Sequence, residues 1–264
     1  TARHARQSVL RKMHRNLLID QSKKCRYDNK ECQINHCKKH LPTFNGYELT
    51  LITPQMHRIK KSRVVAAAVQ FNIDTCIETG TYKGDTTLFL ANSGACERVF
   101  TIELDKKMYE KAKQRFQKEI DNGNENAKRI TALHGDSGDI LHNHDVFKTL
   151  NDKNVLYFLD GHYSYLDTAR GIEDSPVLKE LDFIFNQNND HGVSIILIDD
   201  AREFRGSRFR EGEVESNDLD KDEVMNYPEL ANMLAKVCEY DPTSFIDLED
   251  DLLFISTNTF YNVV

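Results

Sequence analysis

The stretch Ile73-Asp-Thr-Cys-Ile-Glu-Thr-Gly-Thr-Tyr-Lys-Gly-Asp-Thr86 decides the fold of this 264-residue chain. Its apolar first part predicts a buried strand, and a helix-like pattern follows over residues 86–91. The glycines at positions 80 and 84 predict a sharp strand-to-helix turn where a ligand can approach the backbone closely. Their spacing differs from the Gly-x-Gly-x-x-Gly that seats a dinucleotide pyrophosphate.

The charge around this turn indicates what kind of ligand it binds. Glu78, at the end of the strand, repels a phosphate but attracts an ammonium group, whereas the N-terminus of the following helix attracts an anion. A nucleoside that carries an amino acid satisfies both ends. S-adenosylmethionine is such a ligand.

Strand and helix patterns alternate behind the turn. Further strands are predicted over residues 99–105, 129–133, 155–160 and 193–200, and helices over 106–120, 137–150 and 168–186. This alternation predicts an α/β fold with a doubly wound, Rossmann-like sheet and helices on both faces. Ligands of such sheets bind at the carboxyl ends of the strands, where Glu78 and Glu103 are expected to lie.

The C-terminal part predicts the remaining elements of a seven-stranded sheet. Residues 202–223 have few apolar side chains and are predicted to form a long loop that serves as a substrate lid. A helix is expected over 227–238. Two strands, 244–248 and 252–256, are expected around a tight Glu-Asp-Asp reversal, with the last strand antiparallel to the sheet.

From about Arg58 onward the chain resembles class I S-adenosylmethionine-dependent methyltransferases, and most of all their metal-dependent O-methyltransferases of the catechol and macrocin type. The resemblance rests on the glycine-turn motif, on a ribose-binding acid at Glu103 and on an adenine-side turn after the third strand. It implies that S-adenosylmethionine is bound by Glu78, Thr79, Gly80, Thr81, Tyr82, Gly84, Thr86, Glu103, Asp136 and Ser137.

The resemblance also implies a metal site and a catalytic group. Asp160, Asp199 and Asp200 correspond to the metal ligands, and three carboxylates at adjacent strand ends repel each other unless a proton or a cation intervenes. Hard oxygen ligands favour magnesium or manganese. Catechol-type enzymes have a lysine where this chain has Tyr163, so the base is expected to be His162 or Asp160 itself.

Other interpretations compete with this one. Gly135-Asp-Ser-Gly-Asp139 matches part of a metallophosphoesterase motif, but the flanking Asp-x-His and Gly-Asn-His elements do not occur in the sequence. The Asp199-Asp200 pair could merely cap a helix. Cys76 is expected to be a buried, inert thiol. A cofactor-binding subunit without transferase activity is the alternative to an enzyme.

Charge divides the chain into a basic extension, residues 1–57, and a methyltransferase domain, residues 58–264. Residues 1–63 contain 15 Lys and Arg against 4 Asp and Glu, and the remainder contains 20 against 38. Such an extension could bind an anionic partner, but its few aromatic residues disfavour nucleic acid, and a cover or a homodimer contact is expected. Cys25, Cys32 and Cys37 could bind zinc, pair or stay free.

The acceptor is expected to be a small polar molecule, a sugar or glycan, because the residues around Asp160 are polar and the chain contains no Trp. No run of 18 apolar residues predicts a membrane span. The six cysteines do not establish an oxidising compartment, and a cytoplasmic location is expected. A trimmed N-terminal anchor would instead place the protein in the secretory-pathway lumen.

Overall fold

The computed structural model describes residues 54–150, 154–164, 168–186, 194–209, 224–249 and 251–257. Residues 1–53, which include Cys25, Cys32 and Cys37, lie outside these ranges. The basic extension, its cysteine chemistry and a dimer contact through it therefore stay predictions.

Helices and strands alternate along the described chain. The helices are α1 (Pro54–Gln70), α2 (Asp85–Ser93), α3 (Lys106–Asp121), α4 (Ser137–Asn143), α5 (Val177–Asn186) and α6 (Leu230–Tyr240). The strands are β1 (Thr75–Thr79), β2 (Arg98–Glu103), β3 (Ile130–His134), β4 (Val155–Leu159), β5 (Ser194–Ile198), β6 (Arg205–Phe209), β7 (Val224–Glu229), β8 (Phe245–Glu249) and β9 (Leu252–Ser256). Short 3-10 helices cover Glu125–Arg129, Asp145–Thr149 and Ala201–Glu203.

Seven strands form one sheet in the order β3-β2-β1-β4-β5-β9-β8. Strands β1 to β5 run parallel to their neighbours, and β9 pairs antiparallel with both β5 and β8. The predicted doubly wound sheet with an antiparallel last strand is confirmed. The order reverses at β1 and β4, so the ends of these two strands form the crevice where ligands of such sheets bind.

Alternate residues of the strands pack against helix layers on opposite faces of the sheet. Ile77, Tyr157 and Ile196 pack in the core cluster that includes α4, α5 and α6. Their neighbours Cys76, Leu156 and Ile195 pack with residues of α1 and α2. Both faces of β1, β4 and β5 are therefore buried, which is why these strands are apolar almost throughout.

The helices begin and end where the sequence provides capping residues. The Asp105 side chain accepts a hydrogen bond from Met108 N at 2.8 Å and starts α3, and Asp136 caps α4 in the same way. Gly94, with a left-handed backbone, ends α2. No helix within the described ranges is both long and apolar enough to cross a bilayer.

Two predicted helices are shorter than expected. The helix predicted over 168–186 begins only at Val177, because Pro176 disfavours helical backbone in the residue before it. The helix predicted over 137–150 ends at Asn143, since His144 has an extended backbone, and a 3-10 turn follows. Both predictions extended an α-helix over residues that the structure places outside it.

The loop predicted over 202–223 is wrong in part. Residues Arg205–Phe209 form β6, which pairs antiparallel with β7, and the helix predicted from Tyr227 begins at Leu230. Short charged strands of this kind show no clear alternation, so their pairing is invisible in the local sequence. Residues 210–223 lie outside the described ranges, and the substrate lid stays a prediction.

Cys76 is not the free thiol that the sequence indicated. It forms a disulfide with Cys96, which lies just before β2, and the two Cα atoms are 6.3 Å apart. Both side chains are buried on the α1 face of the sheet. Parallel pairing of β1 with β2 brings these residues together, although 20 positions separate them in sequence.

Candidate active site

The turn after β1 contains the two predicted glycines, and both have a left-handed backbone. Gly80 has φ +79°, and a Cβ there would lie 2.3 Å from the Asp160 carbonyl oxygen. Gly84 has φ +76°, and a Cβ there would lie 2.5 Å from the Phe116 ring. Other parts of the protein therefore require these glycines, and the close approach of a ligand to the turn stays a prediction.

Glu78 lies buried between β2 and α2. Its Oε2 accepts hydrogen bonds from the hydroxyls of Thr87 and Thr101. Burial raises the pKa of Glu78 to about 7, although these two hydrogen bonds act in the opposite direction. The group is therefore close to half-protonated at neutral pH, which weakens the negative charge that the sequence assigned to this position.

Glu103 is held rigidly at the end of β2. Its two carboxylate oxygens accept hydrogen bonds from the backbone N–H groups of Tyr82, at 2.7 Å, and Asp105, at 2.8 Å. Tyr82 has φ +48°, and its ring is partly exposed. Each carboxylate oxygen has a second lone pair, so Glu103 can still accept the hydroxyls of a ribose.

The other predicted cofactor residues surround the ends of β1 and β3. Thr81 is buried, and its hydroxyl lies 2.5 Å from that of Thr101. Thr86 is half-buried in the first turn of α2, which no side chain caps. Asp136 caps α4, whereas the Ser137 hydroxyl donates to Glu180 at 2.6 Å. That hydroxyl is therefore engaged within the protein.

Asp160, His162 and Asp200 come together where β4 and β5 end. His162 Nε2 lies 3.2 Å from Asp200 Oδ2, and His162 Nδ1 lies 3.6 Å from Asp160 Oδ1. The first distance allows a hydrogen bond and the second is too long for one. The imidazole thus lies between two carboxylates at the crevice.

This arrangement can transfer a proton. The hydrogen bond to Asp200 favours the tautomer with a proton on Nε2, which leaves the Nδ1 lone pair directed towards Asp160. Burial lowers the pKa of His162, but the hydrogen bond to Asp200 and the charge of Asp160 outweigh burial and raise this pKa. Burial and the charge of Asp199 raise the pKa of Asp160 well above its usual range.

Asp199, also predicted as a metal ligand, is not part of this group. Its carboxylate accepts hydrogen bonds from the ammonium group of Lys60 and from Asp200 N. The same ammonium lies 2.7 Å from Asp200 Oδ1 and 3.5 Å from Asp251 Oδ2. Arg202 also contacts Asp200 and Asp251. Lys60 therefore supplies the cation that the clustered carboxylates were predicted to need.

The capping interpretation of Asp199-Asp200 is not supported either. Asp200 precedes the 3-10 helix Ala201–Glu203 with φ +52°, and its side chain forms no capping hydrogen bond. Its carboxylate instead contacts Lys60, Arg202 and His162. Burial raises the pKa of Asp200, but these three neighbours, His162 first, hold it below its usual range.

A divalent ion fits a ligand set that differs from the predicted one. One ligand atom from each of Asp160, His162 and Asp200 lies within 4.8 Å of the others, which suits a single ion. Lys60 and Arg202 supply only two permanent positive charges to the four carboxylates of Asp160, Asp199, Asp200 and Asp251. With His162 neutral, this cluster keeps a net negative charge that a divalent ion can neutralise.

Three residues of this site were missed in the sequence. Lys60 and Glu180 lie on α1 and α5, where one charged residue in a helix usually marks the solvent face. Asp251 belongs to the Glu-Asp-Asp reversal, which the sequence presented only as a turn. Lys60 and Glu180 are at most 4% exposed. Only the fold reveals that these side chains point inward.

Burial of Glu78 predicts a pH dependence of stability. Its pKa is about 7 in the folded chain and about 4.5 when exposed, so the unfolded state loses its proton first. The free energy of unfolding is therefore expected to fall as the pH rises from about 5 to about 8, and Glu78 contributes a loss of about 3 kcal/mol to this fall. Glu78→Gln should remove this loss in urea unfolding experiments. An equally steep pH dependence in the variant would contradict the assignment.

Comparisons with known proteins give similar folds but no family. No protein-family model and no curated protein matches the chain. It is similar to the O-methyltransferase TomG from Streptomyces achromogenes, solved with S-adenosylmethionine (17% identity, 91% of this chain and 93% of that chain, TM-score 0.42). It is also similar to the glycopeptide N-methyltransferase MtfA, solved with sinefungin (13% identity, 74% and 85%, TM-score 0.44). A third is the methyltransferase domain of bacterial CtHen1 (15% identity, 76% and 97%, TM-score 0.47).

At these identities and TM-scores the similarities assign no cofactor, acceptor or residue role to the chain. The topology of the sheet itself defines the fold class. A seven-stranded sheet in the order β3-β2-β1-β4-β5-β9-β8, with β9 antiparallel, is the class I methyltransferase fold that the sequence predicted.

Proposed function

We propose that the chain is an S-adenosylmethionine-dependent O-methyltransferase that acts on a hydroxyl of a small polar acceptor. The observation that carries this proposal is the position of two groups at the same edge of the sheet. Glu103 and the glycine turn lie at the ends of β2 and β1, and Asp160, His162 and Asp200 lie at the ends of β4 and β5. A cofactor site and a proton-accepting site therefore adjoin at the strand-order reversal.

Glu103 is the residue proposed to hold the ribose of the cofactor. Glu103→Ala is expected to cost about 1.5–3 kcal/mol of binding free energy for S-adenosylhomocysteine, because a hydrogen bond to a charged group is lost. Calorimetry measures this, with Glu97→Ala, in the exposed loop before β2, as a control. An unchanged affinity in Glu103→Ala would place the cofactor elsewhere.

A divalent ion, magnesium or manganese, is proposed to take part through Asp160, His162 and Asp200. Such an ion would lower the pKa of the acceptor hydroxyl. With the ion bound, the His162 imidazole would be a ligand, and Asp160 is the proposed base. Without the ion, His162 is the proposed base. The imidazole shifts the preference from magnesium towards manganese.

Binding of Mn²⁺, titrated by calorimetry without cofactor or acceptor, tests this ligand set. Asp160→Asn should weaken binding by at least about tenfold, because one charged ligand is lost. Asp199→Asn should change it much less, since that carboxylate is held by Lys60. Equal losses in both variants would restore the ligand set predicted from the sequence.

A sugar or glycan is the proposed acceptor. The side chains beside His162 are polar, and Ser164, which follows Tyr163, is exposed. A panel of methyl glycosides and catechols, assayed by release of S-adenosylhomocysteine, tests this choice. Cofactor binding without turnover on any hydroxyl acceptor would favour the alternative, a regulatory or assembly subunit that binds the cofactor.

The disulfide bears on the compartment. Disulfides persist mainly in oxidising compartments and are rare in the cytosol. The bond between Cys76 and Cys96 therefore supports the secretory-pathway lumen, which the sequence left as the alternative to the cytoplasm.

A further inference from the structure

Glu180 is a buried carboxyl group on α5 to which the sequence assigned no role. It is 1% exposed, although α5 borders the solvent. Its Oε1 accepts a hydrogen bond from the Ser137 hydroxyl at 2.6 Å, and the Thr79 hydroxyl is close enough to the same carboxyl group to act against the rise of its pKa on burial. Glu180 thus connects the end of β1 with the start of α4.

The loop that carries Asp160 and His162 rests on these hydroxyls. Asp160 N lies 3.2 Å from both the hydroxyl and the carbonyl oxygen of Thr79. A Cβ at Gly161 would lie 3.0 Å from the Thr79 hydroxyl oxygen and 3.3 Å from that of Ser137. The loop backbone at Gly161 therefore packs closely on the hydroxyls of Thr79 and Ser137.

The start of α4 also packs tightly on α5. A Cβ at Gly138 would lie 3.0 Å from the Lys179 Cβ, so the first turn of α4 has little room to shift against α5. Asp136 and Ser137, the residues proposed for the adenine side of the cofactor, belong to this turn. Glu180 therefore contacts one group on the cofactor side and one beneath the acceptor side.

We propose that Glu180 is a positioning residue that couples the cofactor-side turn 136–138 to the acceptor-side loop 160–162. That the turn 136–138 lies beside the cofactor and the loop 160–162 beside the acceptor rests on the proposed function. A carboxyl group suits this task because one oxygen-rich end can accept both hydroxyls at once. An apolar residue in its place would leave two buried hydroxyls without an acceptor.

Binding of S-adenosylhomocysteine, measured by calorimetry, tests the coupling. Glu180→Leu is expected to weaken binding at least about tenfold, because the turn 136–138 loses its anchor. Glu180→Gln keeps an acceptor oxygen and should bind within about threefold of the wild type. Asp182→Leu, on the same helix but bonded to Lys236 and Tyr240, is the matched control. Urea unfolding confirms that each variant is folded.

A double-variant cycle separates coupling from a general loss of structure. Thr79, one of the predicted cofactor residues, is fully buried and supports Asp160 N, and Thr79→Val should weaken binding of S-adenosylhomocysteine several-fold. The same substitution should have no further effect in the Glu180→Leu background. If Glu180→Leu does not fold, the cycle is measured with Glu180→Gln in its place. Because Gln keeps an acceptor oxygen, Thr79→Val should weaken binding in this variant as it does in the wild type.

Each result decides between the proposals. Equal affinity in Glu180→Leu and the wild type, or fully additive effects in the cycle, would overturn the coupling alone. If Glu180→Leu does not fold, an unchanged affinity of Thr79→Val for S-adenosylhomocysteine would overturn the coupling. A wild-type chain that does not bind S-adenosylhomocysteine would overturn the proposed function and the coupling with it.

Discussion

His162→Ala is expected to lower turnover by roughly 10²–10⁴-fold, the usual contribution of a positioned general base. A hydroxyl that attacks a sulfonium must lose its proton during the transfer. His162 can accept that proton at Nδ1, because Asp200 occupies Nε2 at 3.2 Å. The resulting imidazolium would be stabilised by the Asp200 carboxylate, whose pKa His162 and its other neighbours hold below the usual range. Turnover is measured in excess chelator, the condition under which His162 is the proposed base, as release of S-adenosylhomocysteine with a methyl glycoside as acceptor.

The pH profile of the same reaction tests the role of the base. The hydrogen bond to Asp200 and the charge of Asp160 raise the pKa of His162 despite its burial. A base must be deprotonated to act, so kcat/KM should rise with pH through a pKa above the ordinary value of about 6.5. His162→Gln should lose this limb together with the turnover.

Two variants separate the base from a merely structural histidine. Gln at position 162 can still donate a hydrogen bond to Asp200 but cannot take up a proton. His142→Ala, in α4, removes an imidazole whose Nε2 lies 3.2 Å from the Lys179 carbonyl oxygen, far from the proposed proton transfer. If His162→Gln keeps more than about a tenth of wild-type turnover with an unshifted pH profile, His162 only orients its neighbours and Asp160 becomes the base.

The sequence predicted those features that depend on local patterns. The strands β1 to β5 are apolar because both their faces are buried, and the acidic residues follow them directly in sequence. In a parallel sheet the strands' carboxyl ends share one edge, so the alternation of strands and helices was enough to predict that Glu103, Asp160 and Asp200 lie there. The antiparallel β9 was found because the Glu-Asp-Asp reversal marks a turn between two apolar runs.

The features that the sequence did not predict depend on contacts between distant segments. Lys60 and Asp199 are 139 positions apart, and Ser137 and Glu180 are 43 apart. A charged residue in a helix is usually predicted to face the solvent, and only the fold shows what its side chain contacts. The requirement for Gly80 likewise comes from the Asp160 backbone and not from the turn itself.

The long-range contacts of Lys60 change the expected need for a bound metal ion. Three carboxylates at adjacent strand ends were expected to require a proton or a cation between them. The ammonium of Lys60 provides a cation from within the chain, and it holds Asp199 and one oxygen of Asp200. An exogenous ion is then left with Asp160, His162 and the other oxygen of Asp200, which is a weaker and less oxygen-rich set than the predicted one.

Lys60→Met is accordingly expected to destabilise the ligand-free chain by about 3–5 kcal/mol, the usual cost of removing one partner of a buried ion pair. Burial lowers the pKa of Lys60, but the charges of Asp199 and Asp200 outweigh it and raise this pKa, so the ammonium is charged in the folded chain. Its loss leaves Asp199, with 9% of its side chain exposed, without a counter-ion. Urea unfolding measures the change.

Lys61→Met, one residue along α1 at a half-buried position, is the matched control and should change stability far less. The double variant Lys60→Met/Asp199→Asn should recover part of the loss, because the uncompensated charge is removed with its partner. Mn²⁺ should stabilise Lys60→Met more than the wild type, since a divalent ion can take the place of the ammonium between Asp199 and Asp200. If Lys60→Met lowers the free energy of unfolding by less than about 1 kcal/mol, the pair behaves as an exposed salt bridge. The clustered carboxylates would then still need another cation or a proton.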